Sequence, residues 1–193
     1  MLISLDRLVA YSVKNGVNII IAKTYGSIIP INRNKLALKA IENNADYTLL
    51  IDSDMVFDED ALVKLLKHDR DIVSAVCVCK TPPYDPVAKL LNKDGGYTVR
   101  EGLGEDRFYS DLDMVGAAFM LIKTDVYRKM SKPYFAMPEF FDSVMGEDVY
   151  FCRKAKELGY EICIDTSLDV GHIGEMIYGI DHHIEYMEAK ENE

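Results

Sequence analysis

Two acidic pairs and one histidine carry the residue types and spacings that could do chemistry in this sequence. Asp52 and Asp54 lie two apart, just past the apolar run Tyr47–Ile51. In extended backbone, residues so spaced point their side chains the same way. Two carboxylates at one spot repel each other. A hard divalent cation, Mg²⁺ or Mn²⁺, removes that cost and keeps positions open for substrate phosphates. The plainer alternative is turn chemistry, since Asp is also common ahead of a helix. Glu147 and Asp148 follow Gly146 at the expected start of a helix. There they either compensate the helix dipole or supply a general base. His172 lies in Val170-Gly171-His172-Ile173-Gly174, which reads as a glycine-flanked loop. It is either a satisfied loop histidine or a neutral imidazole able to join carboxylates around Mn²⁺.

These residues need a scaffold that brings three distant segments together. Leu2, Leu5, Leu8, Val9, Ser12 and Val13 keep a helical period that Asn15-Gly16 stops. Val17–Ala22 is short, apolar and β-branched and reads as a strand. Asn32–Asn43 reads as a helix with Leu36, Ala40 and Ile41 facing in, and Tyr47–Ile51 as a strand ending at Asp52. Asp58 is expected to cap a helix through Lys67, with Glu59 and Asp60 in its first turn. Asp71–Val78 reads as a further buried strand. Thr81-Pro82-Pro83-Tyr84-Asp85-Pro86 must be irregular. Val87–Leu91 and Tyr97–Arg100 read as a β-hairpin around Asn92-Lys93-Asp94-Gly95-Gly96.

Farther on, Met114–Ile122 is expected as one long buried strand carrying Gly116, and Thr124 starts a short helix. Glu147–Leu158 is a helix stopped by Gly159, and Glu161–Asp165 a strand. Alternating strands and helices argue for an α/β fold with a Rossmann-like, mostly parallel sheet flanked by helices. In such sheets ligands bind beyond the C-terminal ends of the strands, where Asp52 and Asp54 fall. Ile177, Ile180, Ile184 and Met187 give the last helix one apolar stripe. The stripe docks this helix on the domain or, alternatively, forms a homo-oligomer contact.

Composition narrows the function classes. The chain has 193 residues, is 49% hydrophobic and carries a formal charge of −10. It is long enough for one domain with a sizeable core. A nucleic-acid partner is disfavoured, because counterion release needs a basic surface. Seven acids (Glu42, Asp46, Asp52, Asp54, Asp58, Glu59, Asp60) crowd residues 42–60, where no Lys or Arg occurs. Five more acids fall in residues 181–193, which read as a solvated helix end. Asp6 and Arg7 interrupt the apolar N-terminus, so this stretch does not read as the apolar core of a signal peptide. The apolar run Met114–Ile122 is far short of the ~20 residues a bilayer needs. A soluble, cytoplasmic protein is expected. Cys77, Cys79, Cys152 and Cys163 form no C-x-x-C pair and read as buried thiols.

In this order the motifs resemble the GT-A fold glycosyltransferases, family 2-like, over residues 28 to 172. Ile51-Asp52-Ser53-Asp54 matches the D-x-D motif, and Gly146-Glu147-Asp148 the x-E-D motif. Gly116-Ala117-Ala118-Phe119-Met120 is similar to the glycine-containing strand near the acceptor site. His172 matches the late metal-binding histidine, and Asn32-Arg33-Asn34 resembles an Arg-Asn pair near the donor nucleotide.

The resemblance implies a hexosyltransferase-like enzyme acting on a nucleotide-diphosphate sugar. Arg33, Asn34, Asp52, Ser53, Asp54 and Gly116 would line the donor. Asp54 and His172 would ligate Mn²⁺ or Mg²⁺ on the diphosphate, with Asp52 on the ribose or on a metal-bound water. Asp148 would be the base of an inverting transfer, with Glu147 second. The acceptor would be a glycan, lipid or small molecule, near Tyr84, Asp85 and the 102–112 loop. The whole of 1–193 would be one domain. Residues 1–80 would form the donor and metal half, 81–175 the acceptor half, and 176–193 a C-terminal helix. The hairpin would be a small insertion. The usual first strand would be missing, since the chain opens on a helix.

The D-x-D and histidine pattern also fits retaining enzymes, so the stereochemistry stays open. Two rival readings remain. Asp52-Ser53-Asp54-Met55-Val56 also fits the motif of haloacid dehalogenase-type phosphatases, with Asp52 as nucleophile. A glycosyltransferase-like chain short of a strand could instead be an inactive binding subunit.

Overall fold

The computed structural model describes residues 2–104, 107–140, 143–168, 170–174 and 177–191. The elements run in the order α1 (Leu2–Lys14), α2 (Ile29–Glu42), β1 (Tyr47–Ile51), β2 (Met55–Phe57), α3 (Ala61–Lys67) and β3 (Ile72–Ala75). Then come β4 (Ala88–Leu91), β5 (Tyr97–Val99), β6 (Phe108–Leu112), β7 (Met114–Val115), β8 (Phe119–Lys123) and α4 (Thr124–Lys129). The last are β9 (Glu139–Phe140), β10 (Ser143–Val144), α5 (Glu147–Glu157), β11 (Ile162–Asp165), β12 (Val170–Ile173), β13 (Ile177–Tyr178) and α6 (Ile180–Glu191).

A five-stranded sheet, ordered β1-β8-β3-β11-β6, carries the fold. Successive residues of its strands enter two apolar layers, as the period of two in a strand requires. Leu50, Ile72, Met120, Ile122, Ile162 and Ile164 join one layer, with Ala37 of α2, Val126 and Tyr127 of α4, and Phe151 of α5. Val73, Phe119, Leu121 and Cys163 join the other, with Leu8 of α1 and Ala61, Leu62 and Leu65 of α3. Helices therefore flank both faces.

The sheet is not the mostly parallel, Rossmann-like sheet that the alternation of elements predicts. Among the described residues only β3 and β11 pair in parallel. The other strand pairings are antiparallel. The cause lies in β8, which sits between β1 and β3 and runs against both. Hydrophobic alternation reports which face of a strand is buried, not which way the chain runs. Since β1 and β3 both oppose β8, they run the same way. Their C-terminal ends share one edge of the sheet.

Other local expectations also change. Val17–Ala22 is extended but belongs to no sheet among the described residues. The long strand 114–122 is broken into β7 and β8 by Gly116-Ala117-Ala118. Through this break the chain leaves the small sheet β5-β4-β7 and enters the large one. Ser74 Oγ lies 2.9 Å from the Gly116 carbonyl oxygen and 3.0 Å from that of Phe119, within hydrogen-bonding reach across the break. Asp60, not Asp58, takes the N-cap position of α3, and it makes no side-chain capping bond. The α6 helix docks through only part of its apolar stripe: Ile180 packs against the core, and the other contacts are polar and aromatic. His183 Nδ1 lies 2.8 Å from the Pro83 carbonyl, and Tyr84 meets the His182 and Tyr186 rings edge-on. Ile184 and Met187 remain exposed.

Candidate functional site

The site is built at the shared edge where β1 and β3 end. β1 delivers Asp52 and Asp54, and the turn between them places Ser53 on the surface. β2 then pairs antiparallel with β12, matching Met55 to His172. The Ile173 amide donates to the Asp54 carbonyl at 2.7 Å. His172 is thus on a strand, not in the loop its flanking glycines predict. Strand pairing is what carries it to Asp54 across more than a hundred residues of sequence.

Arg33, on α2, organises the acidic groups. Its guanidinium lies 3.0 Å from each oxygen of Asp52 and also donates to Glu147 at the start of α5. Its side chain is only 6% exposed. A planar fork of donors is the group suited to holding two carboxylates at once. The clamp ties α2, β1 and α5 together. One member of each acidic pair is therefore committed to Arg33, and the other is left outside the clamp.

Asp54 is the member left over from the first pair. Its carboxylate accepts from Lys80 Nζ at 2.5 Å, and His172 Nε2 stands 3.6 Å away. Burial alone would raise its pKa. The Lys80 hydrogen bond and the His172 and Lys80 charges outweigh burial and hold it below the usual carboxylate range. His172 Nδ1 lies 3.1 Å from the Val78 carbonyl, which can only accept, so Nδ1 carries the proton. In the neutral ring the Nε2 lone pair then faces Asp54. Anchoring one ring nitrogen on a carbonyl so that the other is free to ligate is the usual support of a metal-binding histidine.

Asp148 is the member left over from the second pair. Burial, then the adjacent Glu147 charge, raises its pKa. Its Oδ1 accepts from the Val149 amide at 2.7 Å. A Cβ on Gly146 would lie 2.8 Å from that oxygen, so only glycine fits there while the carboxylate keeps this position.

The donor set of Asp54 and His172 fits a divalent cation. A carboxylate oxygen and an imidazole lone pair already face each other. Two adjacent ligands at about 2.1 Å from such an ion lie roughly 3 Å apart, close to the observed separation. Asp52 does not complete the set, because both its oxygens face Arg33. Among the described residues no three His, Cys, Asp or Glu side chains gather as a ready metal cluster. An ion held by two protein groups would fill its remaining positions with water and phosphate, as Mg²⁺ commonly does.

Two of the expected donor-lining residues have other partners. Asn34 Nδ2 donates to the carbonyls of Pro30 and Phe135, at 2.7 and 2.6 Å, and Oδ1 accepts from the Tyr134 amide at 2.8 Å. Its amide fastens α2 to the segment before β9. Gly116 donates its amide to Val87 at 2.9 Å, and an added Cβ would come within 3.2 Å of the Val87 side chain. Close packing against Val87 therefore accounts for this glycine. Of the expected acceptor region, Phe108–Leu112 is an edge strand of the large sheet, not a loop. Residues 105 and 106 lie outside the described residues.

The segment Cys77–Lys80 lies outside the expected site residues, yet it runs through the centre of the site. The Asp52 and Asp54 charges bear on the Cys77 thiol, which burial pushes up to about 12. The Val78 carbonyl holds His172, the Asp148 charge bears on Cys79, and Lys80 reaches Asp54. A signal was present: Lys80 is the first charge after the apolar run that continues β3, so it falls at the same strand-end edge as Asp52. All four cysteines are free thiols, and Cys79 is half-buried while the others are buried.

No protein-family model matches the sequence, and no curated protein matches it. The crystal structure of A197 from STIV is similar in fold, with a TM-score of 0.55 and 21% sequence identity. The match covers 91% of this chain and 84% of that one. At this identity the likeness speaks for the fold alone. Among the described residues no helix is long and apolar enough to cross a membrane.

Proposed function

We propose that this protein is a metal-dependent glycosyltransferase that moves a sugar from a nucleotide-diphosphate donor to an acceptor hydroxyl. The observation that carries the reading is the placing of His172 Nε2 3.6 Å from Asp54, with Nδ1 held at the Val78 carbonyl, at the edge where β1 and β3 end. Asp54 and His172 would hold Mn²⁺ or Mg²⁺. The cation, when bound, supplies Lewis-acid stabilisation of charge gathering on the leaving diphosphate. Lys80 leaves Asp54 when the site is loaded and turns to a phosphate oxygen. Arg33 keeps Asp52 and Glu147 fixed, so that the donor meets a preformed edge.

Asp148 takes the acceptor proton. As that proton moves, the acceptor oxygen bonds to the anomeric carbon and the bond to the diphosphate oxygen breaks, which inverts the configuration. A carboxyl whose pKa is raised by burial is a better base near neutral pH than an ordinary aspartate. Glu147, paired with Arg33, is less able to take that role.

The test is a panel of UDP- and GDP-sugars scored for Mn²⁺-dependent thermal stabilisation, followed by transfer assays on any that bind. A folded protein that gains no stability from any donor with Mn²⁺ sinks the reading. One observation favours a second reading, a binding module without catalysis. Lys80 and Arg33 already give Asp54, Asp52 and Glu147 ion-pair partners with no metal ion needed. Donor binding that ignores Mn²⁺ and EDTA alike would decide for it.

A further inference from the structure

The segment Val17–Ala22 has the sequence of a strand and the extended shape of one, but no sheet takes it in among the described residues. After the Val17 amide closes the α1 turn on Ser12, no backbone hydrogen bond joins residues 18–25 to the rest of the described chain. Val17 and Ile19 pack against the same apolar layer as Tyr47, Leu49 and Ile51. That contact holds the segment in place. Ile20 and Ile21 are 65% and 54% exposed, and Ile28, Ile29 and Ile31 beside them are exposed as well. A row of unsatisfied backbone groups next to exposed β-branched side chains is a template for strand addition.

We propose that Val17–Ala22 is an interface strand, completed by the same segment of a second copy in antiparallel pairing about a two-fold axis at Ile20. The sequence is self-complementary in that register. Ile20 faces Ile20, Ile19 faces Ile21, Asn18 faces Ala22, and Val17 faces Lys23. β-branched residues meet at the centre, which favours pairing. The two Lys23 ammonium groups fall at opposite ends, about 20 Å apart at the rise of a strand. The chain is −10 overall, yet from Arg7 to Ile41 it has six Lys or Arg and no Asp or Glu. Charge therefore does not draw two copies together here; the apolar centre of the pairing and the separation of the two Lys23 side chains are what allow it. A lipid surface would also suit isoleucines beside lysines, but it offers no partners for the open backbone groups, which are costly to bury unpaired. The interface adjoins α2, whose Asn32 donates to the Gly26 carbonyl at 2.8 Å, so ordering the strand steadies the helix that carries Arg33.

Sedimentation velocity on the whole chain, from about 1 to about 100 µM, is expected to show a monomer–dimer equilibrium. Hydrogen exchange at the amides of 18–22 should slow as the dimer fills. Ile20→Lys places two ammonium groups together at the axis and should weaken dimerisation by about tenfold or more. Ile177→Lys, on another exposed isoleucine, should leave it unchanged, and thermal unfolding of both variants checks the fold. A protein that stays monomeric at the highest concentration, with 18–22 exchanging freely, overturns the proposal. So does a dimer that Ile20→Lys leaves intact. A monomer that binds vesicles containing phosphatidylserine would assign the face to lipid instead and equally overturn it.

Discussion

The Arg33 clamp and the Lys80–His172 rim hold acids that are neighbours in sequence but are treated in opposite ways. In each acidic pair one carboxylate goes to the clamp; of the other two, Asp54 goes to the rim and Asp148 is buried beside Glu147. Asp52 and Glu147 meet a guanidinium that is almost wholly buried, whereas Asp54 meets an ammonium and an imidazole at a half-exposed edge. The difference teaches that a D-x-D spacing does not by itself make two equivalent ligands. Asp52 and Asp54 leave β1 on either side of a turn, and a cation chosen from another helix captures the first. The clamp is architecture, and the rim is where a reaction could run.

Removing Arg33 should have the largest effect. Arg33→Met leaves Asp52 and Glu147 facing each other without a partner, and losing one side of a buried ion pair costs about 3–5 kcal/mol. For a chain of this size that is a fall in Tm of roughly 6–20 °C by calorimetry. If Arg33→Met melted like the parent, the clamp would not be architecture. Asp148→Asn tests the buried carboxylate that the clamp leaves over. Donor binding should survive, while transfer falls by about 10²–10⁴-fold, the usual weight of a general base. Full transfer by this variant would remove Asp148 from the mechanism.

The same substitution carries a stability signature of known sign. Burial and the Glu147 charge raise the folded pKa of Asp148 above its unfolded value. The folded state therefore binds its proton more tightly. That stabilisation is complete below the unfolded pKa, about 3.9, and is lost as pH rises through the folded pKa. Asp148→Asn should thus melt higher than the parent at neutral pH, with the gap closing in acid. Asp54→Ala should abolish Mn²⁺-dependent stabilisation by donor yet change the metal-free Tm little. Lys80→Ala should have the smallest effect on stability, about 0–1 kcal/mol for a part-exposed pair. It should tighten binding of Mn²⁺ alone, since a competing cation is gone. Titration of the metal-free protein distinguishes these two rim variants.

Much of the scaffold could be read from the residues. β1 spans Tyr47–Ile51 as expected, α5 begins at Glu147, and the hairpin of β4 and β5 turns where Asp94-Gly95-Gly96 places it. Local periodicity and turn chemistry are written in consecutive residues, so a single pass along the chain recovers them. Strand direction, the break at Gly116 and the unpaired state of Val17–Ala22 were not legible. Each depends on what lies alongside, not on what comes next. The expected glycine-flanked loop at His172 became β12 because β2 was there to pair with it.

For the site, residue types marked the candidate groups and tertiary structure assigned their partners. The sequence alone placed Asp52 and Asp54 past a buried strand and put Glu147 and Asp148 on a helix start. Which of the four would enter the clamp was decided by Arg33, whose side chain reaches two segments 19 and 114 residues away. Lys80 and the Val78 carbonyl entered for the same reason. A carboxylate's role is set by the charge and the hydrogen-bond partners within a few ångströms of it, and distance in sequence carries no record of those.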